Sequence, residues 1–135
     1  MWQIEDILRG FHFNMQEIEK NIISRFSLPD EKKEKVREWY FSLVQSMQEE
    51  GITQHGHLKM VQETLNKLVE IHTHLLKEGK DTPYIEAFQK ALPHIVSIRA
   101  SAKENAKGEI ETCFEELYGI LLLHLKHKEI TSQTQ

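Results

Sequence analysis

Apolar residues along this 135-residue chain recur every three to four positions, and no stretch shows a sustained two-residue alternation rich in β-branched side chains. An amphipathic helix needs the first pattern and a half-buried strand needs the second. The chain can therefore bury its apolar surface only as helices. Three prolines and six glycines punctuate the pattern.

Ile4, Ile7, Leu8 and Phe11 mark a first segment from Trp2 to about Arg9, which Gly10 is expected to end or bend. Asn14 is placed to cap a second segment, with Met15, Ile18, Ile22 and Phe26 on one face. Ser27-Leu28-Pro29-Asp30 reads as the capped start of a third helix, whose stripe is Val36, Trp39, Tyr40, Leu43, Val44 and Met47. Gly51 sits where a left-handed C-terminal cap belongs. A fourth helix is expected to begin between Thr53 and His57, carry Leu58, Val61, Leu65, Leu68, His72 and Leu75, and close at Gly79.

Thr82-Pro83 reads as N-cap and first residue of a fifth helix, with Tyr84, Ile85, Phe88, Leu92 and Ile95 as its stripe. Pro93 lies inside that pattern and predicts a kink, because it has no N–H to bond back to Gln89. Ser101–Gly108 is a polar connection, or Ser101-x-x-Glu104 caps an early start of the last helix. The sixth helix carries Ile110, Cys113, Phe114, Leu117, Ile120, Leu121, His124 and Leu125. The expected fold is all-α: a helical bundle of about six segments, four long antiparallel helices plus two shorter N-terminal ones. One domain over residues 1–130 is expected, followed by a polar, frayed tail at 131–135.

Composition narrows the function classes. One cysteine, Cys113, cannot form an internal disulfide. The net charge of −4 argues against a nucleic-acid partner, which calls for a basic stripe. The acidic start Met1-Trp2-Gln3-Ile4-Glu5-Asp6 is not a signal peptide. The longest apolar run, Tyr118-Gly119-Ile120-Leu121-Leu122-Leu123, falls far short of the ~20 residues a spanning helix needs. A cytoplasmic protein without membrane contact is expected.

Eight histidines are the one oddity, and imidazole is the commonest metal ligand. His72 and His124 lie on apolar stripes of two helices and are the candidate metal ligands, with His57 and His94 as outer possibilities. No Glu-x-x-His and no His-Glu-x-x-His occurs, so di-iron and zincin chemistry lack support. His72 and His74 point about 200° apart on a helix, whereas His74 and Glu78 share a face. No arginine is followed by a histidine at the spacing of helical HEPN-type ribonucleases. Gly-x-Ser-x-Gly and the glycine-rich phosphate loops are absent. Cys113 reads as a small core hydrophobe with an inert thiol. Glu111 and Glu115 share a solvated helix face, and Arg99 either snorkels to solvent or needs an acidic partner.

Met1-Trp2-Gln3-Ile4-Glu5-Asp6, Glu38-Trp39-Tyr40, Gly56-His57-Leu58, Ala91-Leu92-Pro93 and Glu111-Thr112-Cys113-Phe114 with Tyr118-Gly119 carry a resemblance over nearly the whole chain. The sequence resembles a family of small, uncharacterised bacterial proteins, a domain of unknown function. The resemblance implies an all-helical cytoplasmic protein and assigns no activity, cofactor or catalytic residue. It also implies a further basic, helical segment before Met1, so the chain reads as shortened or as started late. Trp2 and Ile4 are then expected to leave bare apolar surface.

The expected function is non-enzymatic, through contacts with a protein partner or with a second copy as a homodimer. Trp2, Phe11 and Phe13 exceed what a short first helix can bury and motivate that reading. One alternative is a metal-binding, hydrolytic bundle using His72 and His124. Another is a small-ligand sensor with a pocket at the Pro93 kink, lined by Trp39, Tyr84 and Phe88. No catalytic residue and no cofactor are expected.

Overall fold

The computed structural model describes residues 1–102 and 107–126. Among these residues the chain forms six α-helices and one 3-10 turn, with no strand. The helices are α1 (Trp2–Gly10), α2 (Met15–Asn21), α3 (Asp30–Glu49), α4 (Lys59–Glu78), α5 (Thr82–Ala102) and α6 (Glu109–Leu125); the 3-10 turn is Ile23–Arg25. The expected frayed tail lies outside the described residues. The chain divides into two compact units, Met1–Glu63 and Thr64–Gln135, and α4 runs through the boundary.

In the first unit, α1 begins without a side-chain cap, as Met1 cannot supply one. It ends at Gly10, but the turn that follows is made by His12 and Phe13, both left-handed at φ 51° and 60°. Such backbone costs about 1–2 kcal/mol per non-glycine residue. Phe13 offsets it by packing on the core. Asn14 caps α2 as expected, its side-chain oxygen accepting from the N–H groups of Gln16 and Glu17 at 3.0 and 3.3 Å. Helix α2 stops at Asn21, so Phe26 leaves its face and is exposed.

The N-cap of α3 is Pro29, in extended backbone and without a side-chain cap bond. Tyr40, Leu43, Val44 and Met47 are buried as the stripe requires, whereas Trp39 is 41% exposed. With Leu8, Ile18, Ile23 and Leu58 they form the core. Burying each such side chain is worth about 1.5–3 kcal/mol. Truncating Leu8 or Met47 (both 0% exposed) to alanine costs about 2–5 kcal/mol. Trp2 is half-buried, and Ile4, Phe11 and Phe13 pack on the core. The bare N-terminal surface expected from the sequence is therefore absent, and those aromatic residues no longer argue for a dimer.

The second unit is built from the remainder of α4 with α5 and α6. Asp81, not Thr82, caps α5: its carboxylate accepts from the Tyr84 N–H at 3.1 Å and its carbonyl from Ile85. Pro93 lies inside α5, which continues to Ala102. Ser101 is thus helical and donates to the Ser97 carbonyl, and Gly108, in extended backbone, is the N-cap of α6. Buried hydrophobic residues here are Leu65 and Ile95, with His72 and Thr112 as buried polar groups.

Candidate functional site

Two polar clusters are built from long-range contacts. In the first unit Glu5, fully buried, sends one carboxylate oxygen to His57 Nδ1 at 2.7 Å and accepts the Leu58 N–H on the other at 2.9 Å. Leu58 immediately precedes α4, so Glu5 caps that helix from α1. That long-range cap explains why α4 begins at Lys59, later than local spacing predicts. Trp2 stacks on the face of the His57 imidazole. Arg9 donates to the carbonyls of Ile52 and Gly56 and pairs with Asp6 at 2.9 Å. The loop between α3 and α4 is thereby clamped to α1.

The second cluster centres on His72, where α4, α5 and α6 meet. Its Nδ1 lies 2.7 Å from the Tyr84 hydroxyl, and the edges of its ring meet Tyr84 and Phe88 at centroid distances of 5.9 and 4.6 Å. Nε2 lies 3.6 Å from Glu109 Oε2, too far for a hydrogen bond, and has no hydrogen-bond partner among the described residues. Burial first, then the neighbouring Cys113 and Asp81, push the Tyr84 phenol above its usual range. The tautomer that fits these neighbours accepts the Tyr84 O–H at Nδ1 and carries its ring proton on Nε2, facing the Glu109 carboxylate; the other would set the Nε2 lone pair against the carboxylate. On the far side of Glu109 stands Arg99 Nη1 at 3.9 Å, so the acidic partner considered for Arg99 is Glu109. Arg99 Nε is buried and has no hydrogen-bond partner among the described residues. A cleft of about 230 Å³ opens here, lined by Val69, His72, Thr73, Leu76, Gly108, Glu109 and Ile110.

Other predicted residues fall into place around these clusters. Tyr84 and Phe88 meet at His72, while Trp39 belongs to α3 of the first unit, edge-on to Tyr40 at 5.2 Å. His124 lies 15 positions along α6 from Glu109, about 22 Å at 1.5 Å per residue. With Glu109 at 3.6 Å from His72, the two histidines do not converge. Among the described residues no group of three or more potential ligands comes together for a metal ion. His74 and Glu78 approach to 3.4 Å on an exposed face. Glu111 and Glu115 do share a face, and Lys107 pairs with both. Burial lowers the Lys107 pKa, but these two carboxylates outweigh it and the net shift is upward. Sequence reasoning missed Glu5 and Glu109 as partners of His57 and His72. Their one local signal is an acid on an otherwise apolar or helix-starting face.

The face of α6 departs from expectation most. Phe114, Leu117, Leu121 and Leu125 belong to the apolar pattern of α6, yet they are 42, 62, 42 and 54% exposed. At 100° per residue they occupy an arc of about 80°, one continuous ridge.

The chain belongs to the family described as Domain of unknown function (DUF4924), whose model matches residues 1–135. No curated protein and no solved structure matches it. Among the described residues no helix is long and apolar enough to cross a membrane.

Proposed function

We propose that the protein is non-enzymatic and acts through protein contacts, the first of them an antiparallel pairing of α6 with α6 of a second copy. The observation that carries this is the exposed ridge of Phe114, Leu117, Leu121 and Leu125. Contiguous apolar surface of this kind favours association. The helix dipole supports a second copy in antiparallel orientation, because an antiparallel pair opposes the two dipoles. Such a pairing is isologous and closes at two chains.

Sedimentation equilibrium at micromolar concentration tests the reading. A dimer is expected, converted to monomer by the double variant Leu117→Glu, Leu121→Glu with helical circular dichroism unchanged. A wild-type chain that sediments as a monomer throughout would overturn the pairing.

A further inference from the structure

We propose that the cleft at the start of α6 binds a small uncharged ligand carrying a carbonyl oxygen beside an N–H, as in a primary amide or a lactam. His72 is 6% exposed, and its Nε2 has no hydrogen-bond partner among the described residues. Buried donors are almost always satisfied, so an orphan on a cleft wall marks a place for an acceptor. Gly108 caps α6 without a side chain, so the first-turn N–H groups at Glu109 and Ile110, which line the same cleft, also lack a cap. Beside these donors stands a charged acceptor, Glu109 Oε2, 3.6 Å from Nε2; Thr73, also on the cleft wall, gives its hydroxyl proton to the Val69 carbonyl. A donor and an acceptor side by side read an amide edge: the ligand oxygen takes the Nε2 proton and its N–H goes to Glu109.

Charge selects against an ionic ligand. Glu109, Glu111 and Glu115 outnumber Arg99 and Lys107 around the first turns of α6, so an anion would meet net negative charge. A cation would meet the Nε2 proton and the positive end of the helix. Val69, Leu76 and Ile110 supply apolar walls for the rest of the molecule. The Glu109 side chain is 37% exposed, so it can adjust its carboxylate to the ligand's N–H.

Benzamide, benzoate and benzamidine are nearly isosteric probes of neutral, negative and positive charge. They would be titrated into the full chain and followed by two-dimensional ¹H–¹⁵N NMR. Benzamide is expected to shift the backbone resonances of Val69, Glu109 and Ile110 saturably, with benzoate and benzamidine weaker or silent. Glu109→Ala alters a half-exposed residue, and its remaining spectrum reports that the fold persists. It is expected to weaken benzamide by about tenfold or more, the effect of losing a hydrogen bond to a charged group. Preference for either ion, silence of all three probes, or unchanged benzamide affinity in Glu109→Ala would each overturn the proposal.

Discussion

Trp2 lies flat on His57, ring centroids 4.5 Å apart and planes 14° from parallel, and Glu5 holds the same imidazole at 2.7 Å through Nδ1. Two stretches that carry the family resemblance, Met1–Asp6 and Gly56–Leu58, thus meet in one cluster.

The Glu5 carboxylate is the hub of that cluster, so Glu5→Ala strands both His57 Nδ1 and the Leu58 N–H. Leaving a buried hydrogen-bonding group without its partner typically costs about 1–3 kcal/mol. Glu5→Gln keeps an oxygen for Leu58 and an N–H₂ for Nδ1, so its cost is expected to be much smaller. Urea unfolding of the two variants checks this. A loss below about 1 kcal/mol in Glu5→Ala would mean that water replaces the carboxylate.

Legibility followed locality. Helix α2 was readable because its cap, Asn14, bonds two and three residues ahead. The start of α4 was misplaced because its cap is Glu5, 53 positions away. His72 was legible as a buried residue on a stripe. Its partners were not: Tyr84 and Glu109 lie on other helices, and no spacing rule links them. Periodicity also picks out the residues of the α6 ridge but not what they face. An apolar stripe states which residues share a face and does not state what covers that face.

Glycine substitutions should separate two backbone states. Gly119 lies inside α6, and a Cβ there would meet no atom within 4 Å. Gly119→Ala is expected to stabilise the chain by about 0.5–1 kcal/mol. Gly51 also has open space but sits at φ +70°. Gly51→Ala is expected to cost about 1 kcal/mol or more, because the alanine Cβ crowds the following carbonyl in that conformation. Thermal melts of both variants should move in opposite directions. Equal shifts of one sign would show that side-chain space, not backbone conformation, governs both sites.

Cys113 should be a slow nucleophile. Burial, with the Glu109 carboxylate adding to it, pushes its thiol above the ordinary value of 9.0, and the thiolate is the reactive form. Reaction with a chromogenic disulfide at mildly alkaline pH is expected to be markedly slower in the native chain than in urea. A native rate equal to the unfolded rate would contradict the upward shift.

The Glu19–Arg37 pair gives a pH dependence with a definite sign. Arg37 donates Nε and Nη2 at 2.7 Å to the two Glu19 oxygens. This bonding is the largest influence on Glu19; burial opposes it, Coulomb attraction to Arg37 and Lys33 assists, and the carboxyl falls below its usual 4.5. A group whose pKa is depressed in the folded state contributes its full stabilisation above the unfolded pKa. That contribution is lost as pH falls through the folded value. Wild type is therefore expected to exceed Glu19→Gln in melting temperature near neutral pH, with the gap closing below pH 4.5. Both partners are partly exposed, so about 1 M salt should shrink the gap at neutral pH as well. A gap that persists unchanged at low pH would mean that the glutamate acts through packing and not through its charge.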